Sequence, residues 1–203
     1  IEVIKNRVYN RADERPLVVV IYPYYDQNDG AFTQLSKESI APLIHNQYRV
    51  MYYEISQDNQ ISEVINDATK FQLGSILIIG GHGSTTWGVK FSDSGNEKTY
   101  LDSSDKQELS DAGLGSRFEN GFIIIIESCY AGAGKELNKD NIVNMIGGVF
   151  TNAGKIFGNI GEVAYPISIT ENLTLNSYRK GEVYILIHND EIKNMRYPFF
   201  QRQ

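Results

Sequence analysis

Short, continuous apolar runs alternate along the chain with stretches whose apolar positions recur every three to four residues. Residues 17–25 (LVVVIYPYY), 48–55 (YRVMYYEI), 75–80 (SILIIG) and 122–126 (FIIII) are the clearest runs. Their β-branched and aromatic content predicts strands, and runs without polar interruption predict cover on both faces, as in a parallel sheet. Residues 155–165 and 182–188 supply further strands. Within 85–101, Trp87, Val89 and Phe91 alternate ahead of a Ser-Asp-Ser-Gly-Asn turn, the pattern of a hairpin. Helical spacing marks 34–45, with Pro42 near its end, and 61–71, where Ile61, Val64, Ile65 and Ala68 share a face behind Asp58 or Asn59 as cap. Ser103 or Ser104 can cap a helix to about residue 118, and 140–150 has a helical pattern.

Strands and helices in alternation predict an α/β domain, a three-layer α/β/α sandwich around a mostly parallel sheet of about six strands. The first strand is expected centrally, the second on one side of it, the third and fourth on the other. No internal repeat, low-complexity tract or linker interrupts residues 1–203, so a single domain is the simplest organisation.

Composition narrows the function classes. With 41% hydrophobic and 22% charged residues, the chain can build a core and is not expected to be disordered. A formal net charge of -6 argues against general nucleic-acid binding, which calls for a basic stripe. No run approaches the roughly 18 apolar residues of a membrane span. The opening Ile1-Glu2-Val3-Ile4-Lys5 carries neither a secretory signal nor an initiator Met. It reads as a soluble, processed chain or excised domain whose compartment is open and which has room for a prodomain or adjoining domains. One cysteine excludes an internal disulfide. That lone thiol is either a small core residue or a reactive group.

The surroundings of Cys129 favour the reactive group. In a parallel sheet, catalytic groups gather at the carboxyl ends of the strands. His82 follows the third predicted strand in Gly80-Gly81-His82-Gly83, and Cys129 follows the fourth in Glu127-Ser128-Cys129. If those strands are neighbours, thiol and imidazole meet on one rim, the pairing that nucleophilic catalysis needs. Gly83 lets the backbone run close to a bound carbonyl, and its N–H with that of Cys129 makes a candidate oxyanion hole. Amides at the start of a helix after Cys129 would add to it, if that helix begins close by. Gly132 and Gly134 leave space beside the sulfur for an extended peptide.

A strand ending in His-Gly, then a strand ending in Glu-Ser-Cys, resembles the caspase-like cysteine peptidases, the group of caspases, legumains, clostripain, gingipains and separases. The two motifs match residue by residue, and strand order extends the likeness over about residues 17–165. Glu127 stands where the caspase pentapeptide has Gln, which brings the acidic legumain and clostripain relatives closer. The resemblance implies a caspase-like fold and a cysteine endopeptidase with a His82–Cys129 dyad, acting on a peptide or protein substrate. It also implies that Glu127, two residues before the nucleophile, and the loop 26–30 with Asp26 and Asp29 line the pocket for the side chain before the scissile bond. Carboxylates there favour cleavage after Arg or Lys, with Asn second. The alternative is that Glu127 is buried against a backbone donor and the two Asp are turn residues. Lys135 and Lys139 are candidate self-cleavage positions.

Two other classes remain. A class I glutamine-amidotransferase-like hydrolase would pair Cys129 with His188 after the last strand, and an inert binding or signalling module would keep the fold alone. One Cys and three scattered His give no zinc spacing, so no catalytic metal and no required cofactor are expected. Carboxylates in 92–97 or 102–105 could bind calcium, as in some relatives, or merely cap turns. His45 reads as a solvated helix residue, Tyr22, Tyr24, Tyr52 and Tyr53 as core and sheet-edge packing, and the sequon at Asn172 carries little weight.

Overall fold

In chain order the strands are β1 (Leu17–Pro23), β2 (Arg49–Ile55), β3 (Gly74–Gly80), β4 (His82–Ser84), β5 (Gly88–Lys90), β6 (Tyr100–Leu101), β7 (Phe118–Glu127), β8 (Lys155–Asn159), β9 (Ser168–Ile169), β10 (Leu175–Asn176) and β11 (Val183–Ile187). The helices are α1 (Gln60–Ala68), α2 (Lys106–Asp111) and α3 (Ile142–Val149). The computed structural model describes residues 14–24, 40–41, 43–44, 47–84, 88–92, 99–133 and 141–162, with the strand backbone at 168–169, 175–176 and 183–187.

Six strands form one sheet in the order β11-β8-β7-β3-β1-β2. β2, β1, β3, β7 and β8 run parallel, and β11 closes the edge antiparallel to β8. The expected order of the first four strands is therefore the observed one. All seven residues of β1 are buried, as befits a central strand covered on both faces.

Period-two geometry divides each strand between two cores. On one face Val19, Ile21, Leu77, Ile79, Ile124 and Ile126 meet the apolar faces of α1, α2 and α3. On the other, Val18, Val20, Tyr22, Ile76, Ile78 and Ile125 pack with Leu43, and Ile40 adds partial cover. Residues 40–41 and 43–44 are helical, the described part of the helix expected over 34–45. The layers are thus helix, sheet and helix.

Three boundaries differ from the sequence expectation. The helix expected from Ser103 to about 118 is divided into a 3-10 turn (Ser103–Asp105), α2 and a second 3-10 turn (Leu114–Arg117). Gly113 ends α2 in the left-handed region, φ 63°, where a side chain would be strained. Its cap is Asp102, not Ser103 or Ser104: Asp102 accepts from the Ser104 amide, and Asp105 accepts from the Asp102 amide. The start of α1 is held by Gln60, whose side-chain oxygen accepts from the Ser56 and Gln57 amides at 3.0 and 3.1 Å, while Asn59 makes no side-chain cap bond.

Phe118, Phe122 and Phe150 close the core under β7, with ring centroids 4.4 to 5.8 Å apart. Phe150 is fully buried. Phe150→Ala should cost about 3–5 kcal/mol, the transfer term plus the cavity left between two rings. A urea midpoint lowered at unchanged slope would show this; an unchanged midpoint would mean that the trio contributes nothing.

Candidate active site

β3 and β7 are parallel neighbours whose last paired residues are Gly80 and Glu127. The two motifs therefore leave the sheet side by side at its carboxyl rim. The Gly81 amide donates to the Glu127 carbonyl at 3.2 Å, continuing the ladder past the strand end. His82 then enters β4, the first strand of a small antiparallel sheet ordered β4-β5-β6, so the hairpin expected from residue 85 begins at His82 itself. Pairing with β5 sets His82 opposite Lys90 and Gly83 opposite Val89. The histidine is thus placed by regular backbone, which positions a side chain more sharply than a free loop does.

Gly83 makes the decisive approach. A Cβ at Gly83 would stand 1.9 Å from the Cys129 carbonyl oxygen, 2.2 Å from the Ser128 hydroxyl and 2.7 Å from the Cys129 amide nitrogen. Only a residue without a side chain lets β4 lie this close to the Ser128–Cys129 backbone. The segment that carries His82 and Gly83 therefore lies against the backbone of Cys129. His82 and Cys129 are both half-buried, held by the fold yet open to solvent.

The turn after β7 is pinned to the exit of β8. The Tyr130 amide donates to Gly161 at 3.0 Å, the Gly132 amide to Asn159 at 2.9 Å, and the Asn159 side chain to Ser128 at 3.5 Å. The first described helix after Cys129 begins at Ile142, where Asn141 caps the Asn144 amide and the Val143 amide donates to the Ala131 carbonyl. These two amides are thus engaged by the cap and by the Ala131 turn. Ser128 is 2% exposed and set against Gly83, and its hydroxyl has no hydrogen-bond partner among the described residues.

Glu127 is 5% exposed and accepts from the Tyr22 hydroxyl at the carboxyl end of β1. Tyr22 also packs edge-on against Tyr52, with centroids 5.8 Å apart. Glu127 is thus buried, and one of its donors is a side chain from two strands away. Tyr22 was read as core packing, and nothing in its own neighbourhood marks it as a partner. Asp26 and Asp29 lie outside the described residues, as do His45, Gly134, Lys135, Lys139 and His188. β11, which leads to His188, runs the other way: its last residue, Ile187, pairs with Lys155 at the start of β8.

Asp102 and Asp105 bond to each other's segments in the capping box, and most of 92–97 lies outside the described residues. Among the described residues no three His, Cys, Asp or Glu side chains form a metal-holding group. No described helix is long and apolar enough to cross a membrane. A depression of about 570 Å³ between Leu73, Phe118, Val149 and Asn152 opens at the amino rim, the end opposite Cys129, and among the described residues no ionisable side chain lines it.

Asp105 is pushed up to about 6. Burial is the largest cause, opposed by the Asp102 amide and reinforced by the charges of Asp58, Asp102 and Glu108. A carboxyl raised on folding makes the native state hold more protons than the unfolded chain between about pH 4 and pH 6. Stability should therefore fall as pH rises through that window, the reverse of a salt-bridged carboxylate. Asp105→Asn keeps an acceptor for the Asp102 amide and should flatten this decline. Denaturant midpoints at pH 4 and pH 7 decide it; an unaltered slope in the variant would locate the proton elsewhere.

No protein-family model matches the chain, and no curated protein matches it.

Proposed function

We propose that the protein is a cysteine endopeptidase in which Cys129 attacks the scissile carbonyl and His82 protonates the leaving amine. The seat of Gly83 against the Ser128–Cys129 backbone supports this reading, because it brings the His82–Gly83 and Ser128–Cys129 segments together at the rim of adjoining strands. In the scheme, the Cys129 thiolate adds to the carbonyl carbon, and the oxyanion is held by the Gly83 and Cys129 amides. The C–N bond breaks as the imidazolium of His82 gives its proton to the nitrogen. Water, deprotonated by the same imidazole, then hydrolyses the thioester and frees the acid. The scheme consumes peptide and water only.

Cleavage after Arg or Lys, with Asn second, is the proposed specificity, drawn from the acidic residues Glu127, Asp26 and Asp29. Self-processing after Lys135 or Lys139 belongs to the same proposal. The direction of β11 favours His82 over His188 as the base, because the strand leading to His188 ends at the amino rim.

Labelling with an arginyl peptide chloromethyl ketone tests the reading. The native protein should gain one inhibitor mass, Cys129→Ala none, and His188→Ala as much as the native protein. An unlabelled native protein would point to an inert module. Labelling lost in His188→Ala but kept in His82→Ala would point to the amidotransferase-like arrangement. Fluorogenic peptides report the specificity, and preferred cleavage after Asp would sink the acidic-pocket idea.

A further inference from the structure

Tyr130, the residue after the nucleophile, has φ 58°, in the left-handed region. A bulky residue stays there only where its surroundings hold it. Two bonds do so here, both to residues just past β8. Its amide donates to the Gly161 carbonyl at 3.0 Å, and its phenol donates to the Glu162 carboxylate at 3.2 Å. The phenol is pushed above its ordinary value, first by loss of hydration, then by the bond to Glu162, and further by the charges of Glu162 and Cys129. Glu162 and Cys129 therefore act on the same phenol from within the site.

Glu162 differs from Glu127 in the property that matters for binding. Glu127 is buried and engaged by Tyr22, whereas Glu162 is exposed. A cation can approach Glu162 without opening the core and without the full cost of burying a charge pair. We propose that Glu162 and the ring of Tyr130 form a subsite for an Arg or Lys side chain of the peptide bound across Cys129. This rests on the peptidase reading above and names the residues that recognise its basic substrate. A carboxylate at the hydroxyl tip of an aromatic ring suits guanidinium, which pairs with the first and can stack on the face of the second.

The sheet order assigns the half of the peptide. β7 lies between β3 and β8, so His82 comes from one side of Cys129 and Glu162 from the other. The leaving amine must face His82 to receive its proton. The cationic side chain at Glu162 therefore belongs to the acyl half, on the amino side of the scissile bond.

The test compares fluorogenic peptides carrying Arg or its neutral isostere citrulline at each of the three positions before the scissile bond. Native protein should prefer Arg at one of them by about 10- to 100-fold in kcat/KM, the range of one good charged contact. Glu162→Gln should bring that ratio close to one, through a raised KM for the Arg peptide. Tyr130→Phe should lower the ratio only in part, since the ring remains. Glu162 is exposed, so the variant is expected to fold, and an unchanged melting curve with unchanged iodoacetamide labelling of Cys129 checks it. An Arg preference that survives Glu162→Gln overturns the subsite while leaving the peptidase standing. Native turnover without an Arg preference also overturns it. No Cys129-dependent turnover in the native protein removes the peptidase reading and the subsite together.

Discussion

Cys129→Ala is expected to reduce peptide hydrolysis to background, and His82→Ala to slow it by about 10²–10⁴-fold, the usual contribution of a general acid–base. The asymmetry follows from what each side chain supplies. Without sulfur no thioester forms, and no other thiol exists in the chain to replace it. Without the imidazole, a thiolate still forms to some extent near neutral pH, so acylation continues slowly and leaving-group protonation falls to water. The double variant should be no worse than Cys129→Ala alone, because groups that act as a unit lose their effects together. Single-turnover acylation with an activated ester separates the roles further. His82→Ala should lose less on an ester, whose leaving group needs no proton, than on an amide. Equal loss on both would contradict its assignment as the acid.

Gly83→Ala should damage both stability and activity. Its new methyl would meet two backbone atoms, the Cys129 carbonyl oxygen at 1.9 Å and the Cys129 amide nitrogen at 2.7 Å. Backbone yields less readily than the tip of a flexible side chain, so either β4 or the 128–130 turn must move. Overpacking of this kind costs about 1–3 kcal/mol, which for a chain of this size is a fall of several degrees in Tm. Displacing His82 relative to Cys129 by about an ångström is enough to lower kcat about 10²-fold. Gly161→Ala is the matched control, since nothing among the described residues lies within 4 Å of its added methyl. A Gly83→Ala protein with native Tm and native kcat would mean that β4 does not press on the Cys129 turn.

The site proved legible in part, and its two halves show why. His82-Gly83 and Glu127-Ser128-Cys129 each follow an apolar strand, and strands of that kind are recognised from local composition alone. What brings the motifs together is the pairing of β3 with β7, whose partners stand 44 to 47 positions apart in the chain, 47 for Gly80 and Glu127. The expected strand order supplied that pairing correctly. Glu127 was read only halfway. Its acidity is local and visible, but its burial and its bond to Tyr22 depend on β1 reaching the same rim as β7, two strands across the sheet. Asn159 and Glu162 went unremarked, because the register of β8 against β7 is what carries them to residues 128–132. Nor does any feature of the local sequence announce a left-handed tyrosine at 130.

The sequence by itself determined the α/β class, the central place of the 17–23 run, and the candidacy of one thiol and one imidazole. These depend on local properties: β-branched runs form strands, periodicity sets which faces are apolar, and a chain with a single cysteine offers a single thiol. The tertiary structure alone decided that Gly83 lies against the Cys129 backbone, that Tyr22 engages Glu127, and that Tyr130 is tied to Gly161 and Glu162. Each of these is a contact between distant segments, fixed by strand register and close packing to within an ångström. Composition and spacing say which residues can react; only register says which of them meet.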